Sequence, residues 1–296
     1  MFSKKIALRL TILLAALAMG ACENDMTVTL NSADKRLIVS GEFTSDTTVH
    51  SLYLSRSGSI VSGRKQAFIT GAKVYVTNKV DTIYFVESKD TPGLYQTPTK
   101  CYAVGGQTYY LSINGVDVDE DGKMDSFSSV SKVPVAIKFD SLSSKYGYNG
   151  DNRYALINRP FYQRTANGPD YTFSYMMVND KVLYPLSKRL GSGEISGHMT
   201  PTKHYKEGET YNLYFSLDSE PVAKGDRLTF ITFNFTEDQY KFLTAFDNNT
   251  DGDPFLDNMY DQLVIPSRLP TNIEPANKAG GYFLVYSISR ISRVYQ

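Results

Sequence analysis

Short stretches in which apolar and polar residues alternate recur through most of this 296-residue chain. A period of two places successive side chains on opposite faces of a strand, and glycine, proline or asparagine separates the stretches. The clearest of them lie at residues 51–54, 72–76, 82–86, 108–113, 171–178 and 281–288. Tyrosine (22) and phenylalanine (16), which favour half-buried strand positions, are abundant, and tryptophan is absent. We therefore predict an all-β protein made of β-sandwiches.

One helix is predicted within this pattern. Thr236 can cap its start, and Gln239, three residues later, completes a capping box. Tyr240, Leu243 and Phe246 then share one face, which is the spacing of a helix packed on a core.

The first 21 residues have the order of features found in a secretory signal. A basic start that ends at Arg9 is followed by an uncharged apolar run over residues 10–19 and then by small residues. That run is shorter than the roughly 20 residues that a helix needs to cross a bilayer. We therefore predict that residues 1–21 are a removable signal peptide.

Met-Gly-Ala-Cys at residues 19–22 is similar to the lipobox of bacterial lipoproteins, in which the cysteine is acylated and becomes the first residue. We predict that Cys22 is lipidated and that residues 22–35 form a polar tether; a plain secreted protein is the alternative. Glu23-Asn24-Asp25, directly after the cysteine, resembles the acidic surface-export tag of Bacteroidetes lipoproteins. The predicted location is therefore the outer membrane, through the lipid anchor, with the body at the cell surface, and the periplasmic face is the alternative.

Charge and cysteine content argue against a nucleic-acid-binding protein and against a fold stabilised by disulfides. The signal holds three of the 31 basic residues and none of the 31 acidic ones, so the mature chain has a net charge of −3. Without a basic surface, nucleic acid is not an expected partner. Once Cys22 is lipidated, Cys101 is the remaining cysteine and no intramolecular disulfide can form.

The mature chain is long enough for two domains. About 275 residues suit two domains of ordinary size better than one. Pro134 lies in a Val-Pro-Val run, and proline interrupts a strand ladder. We predict a first sandwich at residues 36–134 and a second at 135–296. Within the second, the polar segment 143–169 is predicted to form long loops around a short strand near 154–156.

Several short motifs occur in an order that resembles one family. They are Leu-Ile-Val-Ser-Gly-Glu at 37–42, Gly-Ala-Lys-Val-Tyr-Val at 71–76, Pro-Gly-Leu-Tyr at 92–95, the strand at 106–113, Pro134 with Asp-Ser-Leu at 140–142, and Gly-Tyr-Phe-Leu-Val-Tyr-Ser-Ile-Ser-Arg at 281–290. The set is similar to that of the DUF4249 family of Bacteroidetes outer-membrane lipoproteins. The resemblance implies an N-terminal domain like the immunoglobulin or carboxypeptidase-regulatory sandwiches and a second β-rich domain. It also implies association with TonB-dependent transporters, and it carries over no catalytic residues.

The acidic run at residues 117–125 fits the pattern D-x-D-x-D-G-x-x-D of a calcium loop. Calcium takes six to eight oxygen ligands, and alternate carboxylates around a glycine turn can supply several of them. We therefore predict that Asp117, Asp119, Asp121 and Asp125 bind Ca²⁺.

An acidic hairpin tip is the alternative for this run, because Asp121-Gly122 is also a strong hairpin turn. A second stretch with alternate oxygens, at residues 247–254, is a weaker candidate for calcium. It follows the predicted helix, where asparagine and glycine are expected as terminators.

Three functions are compared. A binding or accessory subunit of a TonB-dependent transporter agrees best with the anchor and the resemblance. A structural or adhesive, fimbria-like surface lipoprotein is the alternative, and it would need an exposed strand for pairing. A secreted hydrolase is less favoured, because the chain has no G-x-S-x-G motif. We predict that the protein is not an enzyme.

Overall fold

The computed structural model of the protein describes residues 35–57, 67–148, 154–183, 198–212, 215–217, 222–247 and 270–296. Strands account for 56% of these residues and helix for 5%, which confirms the all-β prediction. The first nine strands are β1 (Leu37–Thr44), β2 (Ser51–Arg56), β3 (Ala67–Phe68), β4 (Lys73–Thr77), β5 (Thr82–Glu87), β6 (Leu94–Gln96), β7 (Thr108–Val116), β8 (Asp125–Lys132) and β9 (Phe139–Tyr148). The others are β10 (Tyr154–Gln163), β11 (Tyr171–Val178), β12 (Lys181–Leu183), β13 (His198–Pro201), β14 (Thr210–Asn212), β15 (Phe215–Leu217), β16 (Arg227–Phe235), β17 (Ile273–Glu274) and β18 (Ala279–Val294). The helix is α1 (Glu237–Asp247).

These strands form two sheets. Fourteen belong to one path of paired strands, in the order β12-β11-β16-β18-β1-β2-β6-β5-β4-β7-β8-β17, with β13 beside β11 and β3 beside β2. In the smaller sheet, β10 pairs with β9, β14 and β15. Among the described pairs, β1 and β18 alone run parallel, and the others are antiparallel.

Strand β18 is buried on both faces near its start. Phe283 and Val285 point into the N-terminal core, which also takes its side chains from β1, β2, β4, β7 and β8. Tyr282, Leu284 and Tyr286 point the other way, into a helix-side core with α1, β11 and β16. A strand that is buried on both faces has apolar residues at successive positions. Apolar and polar residues therefore do not alternate at 282–286.

The predicted capping box at the start of α1 is confirmed. The Thr236 amide donates to Gln239 Oε1 at 2.9 Å, and the Gln239 amide donates to Thr236 Oγ1 at 3.4 Å. Leu243 and Phe246 are buried in the helix-side core, and the Tyr240 ring stacks on Tyr171 at 3.8 Å between centroids. The helix therefore covers one face of β11, β16 and β18.

Two rows of buried polar side chains cross β11, β16 and β18 on the opposite face. The register aligns Thr172, Asn234 and Ser287 in one row. The next row is Ser174, Thr232 and Ser289. Asn234 Nδ2 donates to the Ser287 carbonyl and to Ser289 Oγ, both at 3.0 Å, whereas Thr172 Oγ1 has no hydrogen-bond partner in the described part of the chain.

The region predicted as long loops at 143–169 is different in the structure. Residues 139–148 and 154–163 form β9 and β10, two ten-residue strands paired over most of their length. The prediction was wrong because polar residues there occupy the outward positions of strands, while Leu142, Leu156 and Tyr162 are buried in a small-sheet core with β16.

Strand pairing crosses the boundary that the sequence predicts at residue 134. β17 pairs with β8, and β18 pairs with β1. Residues 34–296 group as one compact unit of the chain. The division into two domains at 134/135 therefore stays a prediction. In the structure, β18, which follows this boundary, lies in the same sheet as β1, which precedes it. Within the described residues, no helix has both the length and the apolar character needed to cross a membrane.

Candidate functional site

Buried valines anchor the loop that carries the predicted calcium ligands. β7 ends at Val116 and β8 begins at Asp125, with Gly115 (φ 76°) at a register irregularity between the two strands. Val116 and Val118 are each 1% exposed in the N-terminal core. The loop is therefore fixed at its base, and Asp119, Glu120 and Asp121 are exposed at its tip.

Three of the four predicted ligands come together. One carboxylate oxygen from each of Asp117, Asp119 and Asp121 lies within 4.8 Å of the others. Oxygens that all lie about 2.4 Å from one calcium ion are at most about 4.8 Å apart. Asp117 is partly buried, whereas the other two are exposed, so the cluster opens to solvent on one side. The spacing fits a calcium ion.

Hydrogen bonds orient two of these carboxylates. The Gly122 amide donates to Asp117 Oδ2 at 3.1 Å, while Asp117 Oδ1 is buried and has no hydrogen-bond partner within the described ranges. The Lys123 amide donates to Asp121 Oδ1 at 2.8 Å, and its ammonium lies 3.1 Å from Oδ2. The hydrogen bond from the Lys123 amide is the main cause that lowers the pKa of Asp121, and the Lys123 ammonium adds to it. This carboxylate is therefore ionised, which is the form that binds a cation.

A basic pair that the sequence did not indicate holds the loop against the body. Arg56 Nη1 donates to Glu120 Oε1 at 2.7 Å, and Arg56 Nη2 donates to the Asp117 carbonyl at 2.6 Å. Lys35 forms a further ion pair with Glu120 and is the main cause of the lowered pKa of that carboxyl. Glu120 therefore faces these cations and not the three-aspartate cluster. Arg56 and Glu120 are 64 positions apart, so no local pattern could reveal the contact.

The structure places Asp125 outside the cluster of three aspartates. Its Oδ1 lies 2.8 Å from Lys278 Nζ in an ion pair. The carboxylate oxygens that lie close together therefore come from Asp117, Asp119 and Asp121, and the assignment of all four aspartates as Ca²⁺ ligands stays a prediction. The sequence spacing placed Asp125 in the loop, but it is the first residue of β8.

Three carboxylates supply three to six oxygens, and calcium needs six to eight. Loop carbonyls and water would have to supply the rest, so we expect a weak site with a Kd of about 10⁻⁴ to 10⁻³ M, in the range of extracellular calcium modules. The competing interpretation, an acidic hairpin tip, fits the same β7–β8 hairpin. Two predicted features lie outside the described residues: Cys22, and the acidic stretch at 248–254 that follows α1.

Sequence reasoning missed two buried titratable groups. The His50 ring Nε2 lies 2.9 Å from the Cys101 carbonyl oxygen, and Nδ1 accepts the Thr44 amide at 3.4 Å, an arrangement that assigns the neutral ring with its proton on Nε2. Burial lowers the pKa of His50. Burial also raises the pKa of Glu42, which accepts a 2.5 Å hydrogen bond from the Tyr286 hydroxyl. Both groups contact residues that are distant in sequence, and the motif at 37–42 gave no sign that its Glu42 is buried against Tyr286.

The sequence was compared with known protein families. A family described as a domain of unknown function, DUF4249, matches residues 23–292. The chain belongs to this family. The DUF4249 match includes every strand and the helix up to residue 292, which confirms the resemblance drawn from the ordered motifs. No curated protein matches this DUF4249 chain.

Proposed function

We propose that the protein is an outer-membrane lipoprotein, exposed at the cell surface, that acts as a binding or accessory subunit of a TonB-dependent transporter. The observation that carries the proposal is the extent of the family match. It begins at residue 23, directly after Cys22, and continues almost to the C-terminus. The leader and the lipobox cysteine therefore lie outside the family unit, as expected for a lipid-anchored body.

The spacing between the anchor and the fold supports the proposal. The predicted tether at residues 22–35 lies between the lipidated cysteine and β1, which begins at Leu37. An extended chain spans about 3.3 Å per residue, which gives this tether a reach of at most about 45 Å. The body can therefore lie beside a membrane-embedded partner while it stays anchored.

The chemistry of the acidic loop favours binding over catalysis. Asp121 and Glu120 have lowered pKa values because Lys123 and Lys35, respectively, contact them. A general base works best when its pKa lies near the ambient pH, and these carboxylates are weaker bases than ordinary ones. We propose a cation-binding loop that stiffens one end of the N-terminal sandwich, with no catalytic step.

A pull-down of the tagged full chain from detergent-solubilised outer membranes tests the proposal. We expect recovery of a β-barrel protein in a ratio near one to one. A Cys22→Ser variant is the matched control, because it keeps the body and loses the acylation site. An unacylated mature protein in the soluble fraction, or a lipidated protein that recovers no barrel, would contradict the proposal.

An open strand edge favours the fimbria-like function as the second candidate. Within the described residues, the ten-residue strand β9 is paired as a strand to β10 alone. An exposed edge of this length can accept a strand from another protein. Recovery of a ladder of covalent or heat-resistant oligomers in the same pull-down would favour this candidate over the transporter subunit.

A further inference from the structure

The outward face of β4, β5, β7 and β8 has an unusual composition for a solvent-facing sheet. The register aligns Tyr84, Tyr75, Ser112 and Ser128 in one row across the four strands. The next row is Thr82, Thr77, Tyr110 and Val130. Tyr84 is 62% exposed and Val130 is 57% exposed, although outward positions of antiparallel sheets are usually polar.

The charged side chains at the outward positions of these four strands are all positive. Lys73 on the inner strand β4 and Lys132 on the outer strand β8 are exposed, and Lys79 Nζ lies over the Tyr110 ring at 4.4 Å from its centroid. The outward positions of the four strands include no carboxylate. Asp81 lies in the β4–β5 turn, and Glu274 on β17 pairs with Ser128, so one carboxylate borders the face at its β8 edge.

The lysines on this face are available to a ligand. In the part of the chain that the structure describes, Lys73, Lys79 and Lys132 form no ion pair, and Lys132 Nζ donates a hydrogen bond to the neutral Asn167 side chain at 3.2 Å. Elsewhere the molecule does pair its lysines, as Lys278 with Asp125 shows. A carboxylate brought to the face would therefore compete with no internal carboxylate for these three ammonium groups.

The size of the face limits the partner. Three strand spacings of about 4.8 Å and five residues of about 3.3 Å give an area on the order of 200 Å². A standard protein interface buries about 800 Å² on each side, so this face alone suits a short segment and not a whole globular surface. The exposed ring of Tyr84 and the half-buried rings of Tyr75 and Tyr110, among serine and threonine hydroxyls, form the kind of surface that binds peptides with little loss of side-chain entropy.

We propose that this tyrosine–lysine face, made by Tyr75, Tyr84, Tyr110, Lys73, Lys79 and Lys132, binds a short acidic segment of a partner protein. The tyrosine rings contact the apolar side chains of the segment, and the lysines pair with its carboxylates. The inference is independent of the transporter proposal, because it rests on the sheet face and on no property of the anchor.

Fluorescence polarisation of the full mature chain with a labelled eight-residue peptide, in which aspartate alternates with leucine, tests the inference. We expect saturable binding that weakens as salt is added, since exposed charge pairs are screened. Replacing both lysines in K73E/K132E should weaken the Kd by at least about tenfold, and Tyr84→Ser should weaken it by about threefold. These positions are exposed, so the variants should keep the melting temperature of the parent.

Matched controls are Lys145→Glu and Tyr148→Ser, which change exposed residues of β9 in the other sheet and should leave the Kd unchanged. A peptide with lysine in place of aspartate should not bind. Three results would overturn the inference: no saturation at about 1 mM peptide, equal binding by the lysine peptide, or tighter binding of polygalacturonate than of the aspartate peptide. The last would assign the face to an anionic polysaccharide.

Discussion

Gly281 on β18 lies so close to Val39 on β1 that no side chain fits between them. A Cβ atom on Gly281 would overlap the carbonyl group of Val39, and the backbone of Gly281 has φ 79°, in the left-handed region that favours glycine. This contact joins the first and last strands where they pair in parallel. Glycine at this position is therefore a requirement of the sheet.

Gly281→Ala is expected to lower the free energy of unfolding by about 3 kcal/mol or more, because backbone strain of about 1–2 kcal/mol adds to the steric overlap. Urea unfolding followed by tyrosine fluorescence measures the change. Gly122→Ala is the matched control, with φ 83° and nothing within 4 Å of its Cβ, and it should cost about 1 kcal/mol. Equal costs for the two variants would show that β1 and β18 can move apart.

Calcium at about 10 mM is expected to raise the melting temperature by about 2–5 °C, since a Kd near 10⁻³ M gives about 1.4 kcal/mol of stabilisation. The double variant Asp119→Ala with Asp121→Ala should abolish the shift. Asp125→Asn should keep it, because this residue pairs with Lys278. The shift is measured by scanning fluorimetry with and without chelator. If calcium leaves the parent unchanged, the loop is an acidic hairpin tip.

His50 is expected to make stability fall as the pH decreases below about 6.5. Burial lowers its pKa in the folded state, so the unfolded chain takes up the proton first, at its ordinary value near 6.5. The stabilisation that comes from the neutral His50 ring is complete above about pH 6.5. It is lost as the pH falls from about 6.5 to the lower pKa of the folded state. Comparing His50→Gln with the parent at about pH 7.5 and pH 5.5 measures it.

The control for this comparison is His204→Gln, because His204 is exposed. Burial raises the pKa of Glu42, so Glu42 makes the folded state more stable as the pH decreases, opposite to His50. This effect cancels in the comparison because the parent and His50→Gln both contain Glu42. An identical loss of unfolding free energy at low pH in the parent and in His50→Gln would refute the assignment to His50.

Thr172→Val is expected to leave the free energy of unfolding unchanged or to raise it by about 1 kcal/mol, because the buried Oγ1 has no hydrogen-bond partner in the described residues. Asn234→Leu in the same row should lower it by about 2–3 kcal/mol, because it removes the donors to Ser287 and Ser289. Chemical denaturation measures both. A loss of more than about 1 kcal/mol in Thr172→Val would indicate a buried water bonded to Oγ1.

Local signals carried most of the correct predictions. The alternation at 171–178 forms strand β11, and the capping box of α1 has both of its hydrogen bonds. Each of these features depends on residues within a few positions of one another. Sequence reasoning therefore had all the information that they require.

Non-local contacts account for what was missed. The β9–β10 hairpin is polar in sequence, and its few buried residues pack on a sheet formed by chain that follows it. In the candidate site, spacing brought three aspartates together but could not reveal that Lys278, 153 positions away, holds Asp125. Arg56, a partner of Glu120, and Tyr286, the partner of Glu42, likewise lie 64 and 244 positions from the carboxylates that they contact.

The pairing of β1 with β18 also has a consequence for biogenesis. Because the earliest strand finds its parallel neighbour in residues 279–286, the sheet cannot close until nearly the whole polypeptide has been delivered. A chain that crosses a membrane N-terminus first would remain without native tertiary structure during transit. Loss of even the final twenty or so residues would leave β1 and β16 without their common neighbour, so truncated products should be cleared by proteases and not accumulate.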